Sequence, residues 1–248
     1  GAGLPMQRSL AAAALEPLDD EEVFLAQLHR RARLLNEGFL HKVIAAIRKH
    51  TVEDSAAALA AAAGRGHSDP SVVELLCQFC GADAGPAPVE VHAAPIKTVA
   101  RMREKLNEYR SAAAAGGSGS EPGAAWPLAA SILDPVRLSV VVDGPARILE
   151  VVAWFTGGGG CGGVDGAAAE AAARRTGLPV CRVKNKFGFR REDVVGGYRD
   201  VMLCVVYTGG DGLGIIGEIQ VQDRTLHDLK LKMHKLYKIQ RSKDANIA

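Results

Sequence analysis

Three segments in the second half of the chain alternate apolar and polar residues, and this alternation constrains the fold more than any other feature. They are CRVKNKF from Cys181, GYRDVML from Gly197 and GEIQVQ from Gly217. Side chains alternate across a strand, so residues of one parity share a face. Arg182, Lys184 and Lys186 then oppose Cys181 and Val183. Tyr198, Asp200 and Met202 oppose Val201, Leu203 and Val205, and Glu218, Gln220 and Gln222 oppose Ile219 and Val221. Each strand offers one face for packing and one face of cations, carboxylates, amides and an aromatic ring.

The surrounding segments supply helices. RLSVVVD leads into a helix from about Pro145 to Phe155, and an alanine-rich helix runs through Arg175. YRDVMLCVVYT and IIGEIQVQ, separated by GGDGLG, read as hairpin neighbours. A last helix is expected from Thr225, capped by Thr225 and Asp228, with an apolar stripe of Leu226, Leu229, Met233, Leu236 and Tyr237. The fold class expected is α+β: a mixed, mostly antiparallel sheet with helices packed against one side and a helical region before it.

In that leading region, Leu25, Leu28, Leu35, Phe39, Val43 and Ile47 recur at helical spacing around Gly38, after an acidic start of Asp19 to Glu22. This describes one or two helices. A third is expected in the alanine run after Asp54, and a fourth from the capping box Ser71 to Glu74 as far as Gly81. The organisation read from these signals is a tail over 1–17, a helical region over 18–81, a Pro/Gly/Ala linker over 82–94 and the main domain over 95–242, opening with a helix from Pro95 to about Arg110. SAAAAGGSGSEPGAA and GGGGCGG read as flexible connectors.

The net charge of +2 makes nucleic-acid binding by bulk charge a poor reading. Lys230, Lys232, Lys235, Lys238 and Arg241 on the last helix are more simply a solvated face than an RNA contact. The five cysteines fit a reducing compartment, so an intracellular, soluble protein is expected, with neither a membrane span nor a secretory signal. CQFCG at Cys77 to Gly81 has zinc-knuckle spacing but lacks a second ligand pair; no zinc site is expected, and both thiols are read as buried on a helix.

The polar face has two readings. It is the wet side of an ordinary antiparallel sheet, or it is a nucleotide site in which basic side chains neutralise phosphates, two carboxylates hold Mg²⁺ and a ring stacks on a base. The order of segments resembles the synthetase domain of the RelA/SpoT family, over about residues 95 to 240. That family closes its sheet with EIQIRT and a Met-His helix, matched here by EIQVQDRTLH with Glu218, Gln220 and His227. Its NGYxSxH is matched by GGYRDVM with Tyr198. Its RPKxxxSxxRKM is echoed by APIKTVARMREKL with Lys97 and Lys105, and its DxxGxR by DPVR with Asp134 and Arg137.

The resemblance implies transfer of pyrophosphate from ATP to the 3′ hydroxyl of GDP or GTP. Glu218 would orient or deprotonate the hydroxyl, with Gln220 beside it, and would hold Mg²⁺ together with Asp134 or Asp200. Lys97, Arg101, Lys105 and Arg137 would take ATP phosphates, Lys184 and Lys186 the acceptor nucleotide, and Tyr198 its base. The departures support a rival. Asp134 stands three residues before Arg137 instead of five and precedes Pro135. Asp200 and Met202 replace the family serine and histidine, Arg101 replaces the helix serine, and Arg224 follows an inserted Gln-Asp. On the rival reading the domain is catalytically degenerate and serves as a structural or interaction module, with the N-terminal helices available to protein partners.

Overall fold

The computed structural model describes residues 17–52, 71–114, 128–158, 166–194 and 197–233. Six strands form one sheet: β1 (Val72–Phe79), β2 (Gly85–Ala93), β3 (Val136–Val142), β4 (Val180–Asn185), β5 (Val201–Thr208) and β6 (Gly214–Asp223). Their order is β1-β2-β3-β6-β5-β4, antiparallel throughout except for the parallel pair of β3 and β6. The helices are α1 (Pro17–Arg48), α2 (Val99–Ala114), α3 (Pro145–Thr156), α4 (Gly166–Thr176) and α5 over 224–233. The expected α+β class and mostly antiparallel sheet are what the chain forms.

Gly38 does not divide α1. The helix runs unbroken, and Gly38 makes room for Tyr207, whose hydroxyl is 2.2 Å from where a Cβ would stand. The next residue, Phe39, fills the space over Gly217 of β6. Leu35, Phe39, Val43 and Ile47 on the stripe of α1 join Val89, Val91, Leu138, Val140, Leu203, Val205, Ile219 and Val221 from the sheet, and Ile148, Val151 and Phe155 from α3, in one buried core. A smaller cluster, Leu25 with Met102, Leu106, Ala129 and Ile132, fastens α2 to the first half of α1.

The expected fourth helix is absent. Residues 72–79 form β1, and the expected linker holds β2, so both belong to the same sheet as β3 to β6. The capping-box pattern at Ser71 and Glu74 is outweighed by VVELLCQF, which places Leu75, Cys77 and Phe79 on the buried face at strand period. Pro86 and Pro88 lie where β2 runs past the end of β3, which pairs only with Glu90–Ala93, and sheets accept proline at such an edge. Glu150 of α3 fixes the turn after β1, accepting hydrogen bonds from the Cys80 and Gly81 backbone N–H groups at 2.9 Å. Cys77 is buried in the core, whereas Cys80 is exposed, so the expected pair of buried thiols holds for one of them. The third helix, most of GGGGCGG, SAAAAGGSGSEPGAA beyond Ala114, and Lys235, Lys238 and Arg241 lie outside the described residues.

Helices cover both sides of the sheet. α5 begins one residue earlier than expected, capped by Asp223, whose Oδ1 accepts from the Thr225 N–H at 2.9 Å. Of its expected apolar stripe, Leu229 and Met233 are about half exposed, Leu226 is partly buried, and Leu236 and Tyr237 lie outside the described residues. His227 and Lys230 point inward instead, because the face beneath is the polar row of β6. Among the described residues no helix is long and apolar enough to cross a membrane.

Candidate functional site

The polar face is built on the parallel pair of β3 and β6, which aligns Arg137 with Glu218 and Ser139 with Gln220. Glu218, Gln220 and Gln222 form a hydrogen-bonded row. The Gln220 amide donates to Glu218 Oε1 at 2.5 Å, and the Gln222 amide donates to Gln220 Oε1 at 3.0 Å and to Ser139 Oγ at 2.9 Å. Lys230 of α5 donates to the same Gln220 oxygen at 3.1 Å. The alternation in GEIQVQ therefore serves an internal hydrogen-bonded network rather than a solvated surface, with Gln222 Oε1 buried and left without a partner among the described residues.

Glu218 is 4 % exposed. Burial pushes its carboxyl above the ordinary carboxylate range, and the charges of Asp134 and Asp200 add to the shift against the hydrogen bond from Gln220 and the field of Lys105. Asp134, just before β3, is held by two lysines. Lys97 pairs with Oδ2, and Lys105 pairs with Oδ1 at 3.0 Å. The loop ahead of α2 is fixed by the Lys97 backbone N–H donating to the Pro135 carbonyl at 3.0 Å, and one helical face then delivers Lys105. Burial opposes the charge on Asp134, yet the two lysines hold its carboxyl below the ordinary range. The lysines differ: burial keeps Lys97 below the ordinary range, while at Lys105 burial, the largest single influence, is outweighed by Asp134 and Tyr109 together, which raise it.

Opposite them, Asp200 is fully buried before β5, with the Lys186 ammonium 2.9 Å from its Oδ1. Lys186 is positioned by Arg199, whose Nη1 donates to the carbonyls of Lys186, Phe187 and Phe189 at 2.7, 3.0 and 2.8 Å. Tyr198 lies within cation–π range of two ammonium groups, Lys230 at 4.5 Å and Lys186 at 5.5 Å from the ring centroid, and its hydroxyl is 3.2 Å from Lys230. Burial first, and then the Asp200 charge, push its phenol well above the usual range.

Five cations, Lys97, Lys105, Arg137, Lys186 and Lys230, thus share one region with three carboxylates, Asp134, Asp200 and Glu218, and sense one another electrostatically. The balance is positive. Arg137 Nε is buried there without a hydrogen-bond partner in the structure. Two expected members stand apart. Arg101 pairs with Glu104 on the exposed side of α2, and Lys184 lies over the Phe189 ring, 5.4 Å from its centroid. Lys230 is the member missed as a site residue, since the apolar period of its helix drew attention to the wrong face.

The expected Mg²⁺ ligands do not form a metal site as arranged. Both oxygens of Asp134 carry lysine ammonium groups, Asp200 is buried against Lys186, and Glu218 accepts from Gln220. Among the described residues, no group of three or more His, Cys, Asp and Glu side chains is placed to hold a metal ion.

A second polar cluster adjoins the site. Arg224 pairs with Glu90 and, through Nε at 2.8 Å, with Asp143, while Glu90 also contacts His92 Nε2 at 2.9 Å. The His92 and His227 rings lie 4.4 Å apart. The arginine displaced by the Gln-Asp insertion is therefore a strut tying β2 and the end of β3 to the start of α5. Its signal in the sequence was only that displacement.

No protein-family model matches the chain, and no curated protein matches it. Among solved structures, the chain is similar to the small alarmone synthetase 1 from Bacillus subtilis, with 15 % sequence identity and a TM-score of 0.38, over 82 % of this chain and 80 % of that one.

Proposed function

We propose that this chain is a RelA/SpoT-like domain that binds a nucleotide through its phosphates and whose pyrophosphate-transfer machinery is degenerate. The observation that carries this reading is the pairing of Asp134 with both Lys97 and Lys105. Transfer needs a carboxylate free to hold the metal of a metal-bound triphosphate, and here that carboxylate is engaged in neutralising two partly buried cations. The cations that remain in excess, together with a tyrosine ring between two lysines, suit a polyanion carrying an aromatic base. Binding then proceeds by exchange of internal carboxylate contacts for phosphate oxygens.

A second reading, transfer of pyrophosphate from ATP to the 3′ hydroxyl of GDP or GTP, is favoured by one feature. Glu218 sits in the same region with a raised affinity for a proton, as a group that takes up a hydroxyl proton requires. The two are separated by incubating the protein with Mg²⁺, labelled ATP and either GDP or GTP, alongside thermal shifts with each nucleotide. The degenerate reading expects a nucleotide-induced shift and no labelled acceptor. Labelled product that Glu218→Gln abolishes would establish transfer, and the absence of any thermal shift would leave only a structural module.

A further inference from the structure

We infer that Asp134 acts as an internal stand-in for a phosphate group: it occupies the Lys97 and Lys105 subsite in the free protein and competes with the polyphosphate chain of a metal-free ligand. The inference deepens the nucleotide-binding reading above and rests on it for the identity of the ligand. It reverses the role of this carboxylate, from a group that recruits the phosphates through a metal to one that the phosphates must displace.

The geometry supports this on three counts. Each Asp134 oxygen meets one ammonium, Lys97 at Oδ2 and Lys105 at Oδ1. This is the two-point arrangement in which a phosphate meets a pair of lysines, so one anion can replace the other without either lysine changing partners in kind. Asp134 is also the only carboxylate partner that the two lysines have among the ion pairs formed by the described residues. Finally, the neighbouring Arg137, which lies in the field of Lys97 and Lys230, keeps a buried Nε–H without a partner. An anion longer than a carboxylate would satisfy it. The ligand chemistry is thus a chain of at least two phosphates, taken up without a divalent cation, since the carboxylate that would help to hold one is engaged by the same lysines.

The test is calorimetric titration of inorganic tripolyphosphate, and separately of ATP, in EDTA, into the full chain and into Asp134→Asn. The asparagine keeps the shape of the side chain and removes its charge. Loss of a competing anion is expected to tighten tripolyphosphate binding about tenfold, the equivalent of one charge-assisted contact no longer surrendered. Because the variant leaves two partly buried ammonium groups without a counter-ion, its melting temperature is measured as well. Tripolyphosphate is expected to raise it more in the variant than in the unsubstituted protein. Equal or weaker binding by the variant, with no larger thermal shift, overturns the inference even if ATP binds the unsubstituted protein. Tighter tripolyphosphate binding with no response to any nucleotide supports the inference while the nucleotide reading fails.

Discussion

Replacing His227 by glutamine should remove roughly 2.5 kcal/mol of this protein's acid sensitivity between pH 6.5 and 4.5. His227 is 5 % exposed, under α5 and against β2. Burial first, and then the fields of His92 and Lys230, lower its pKa from 6.5 to about 4, against the smaller pull of Asp228 on α5 and Glu90 on β2; Arg224 at the start of α5 completes the charges in the cluster. A group whose proton affinity is lower in the folded state stabilises the fold fully above its unfolded value. That stability drains away as the pH falls from 6.5 towards about 4. At about 1.4 kcal/mol per pH unit, roughly 2.5 kcal/mol is gone by pH 4.5. For a chain of this size that is a fall in melting temperature of about 5–10 °C. The assay is thermal or urea unfolding of both proteins at intervals between pH 7.5 and 4.5. The difference matters, because His50 is also lowered by burial and titrates in the same window in both proteins. Glu90 loses its contribution further down, between 4.5 and about 2. Unfolding curves that run parallel for the two proteins across the whole window would refute the placement of a buried, neutral His227.

Three further outcomes follow from the packing and the charges. Gly217→Ala would place a Cβ 2.7 and 2.8 Å from the Phe39 ring and 2.9 Å from Val136, so a loss of about 1–3 kcal/mol is expected in denaturant unfolding, and an unchanged midpoint would contradict the close approach of α1 to β6. Asp200→Asn strands the Lys186 ammonium and is expected to cost about 3 kcal/mol, rescued in part by Lys186→Met in the same chain; additive losses in the double variant would deny the pair. Brief alkylation at neutral pH, read by peptide mass spectrometry, should modify exposed Cys80 and spare Cys77, whose thiol burial pushes up to about 12; equal labelling would place Cys77 outside the core.

Much of this arrangement was legible in the alternation of GEIQVQ, which alone placed Glu218, Gln220 and Gln222 on one face and Ile219 and Val221 in the core. The period-two pattern is local, and a strand with one buried side must obey it. The first strands were harder to see. Leu76 is apolar although it points to the other face from Leu75 and Cys77, which blurs the alternation of β1, and the prolines of β2 argue against a strand unless the end of β3 is known. The orientation of α5 was not legible for a related reason. Its leucines mark an apolar stripe, but which side of an amphipathic helix turns inward depends on the surface it meets, and β6 presents amides there. Likewise Asp134, Lys97 and Lys105 were identified individually as ligand groups. That they neutralise one another is a fact of tertiary distance, which residue spacing does not encode.

The central claim, that phosphates are taken up by lysines already shared with Asp134 and without a metal, is tested most directly by one calorimetric comparison. ATP is titrated into the protein once in excess EDTA and once in excess Mg²⁺. The account predicts binding in EDTA at least as tight as in Mg²⁺, weakening steeply as salt is raised. Binding that appears only when Mg²⁺ is present would contradict it.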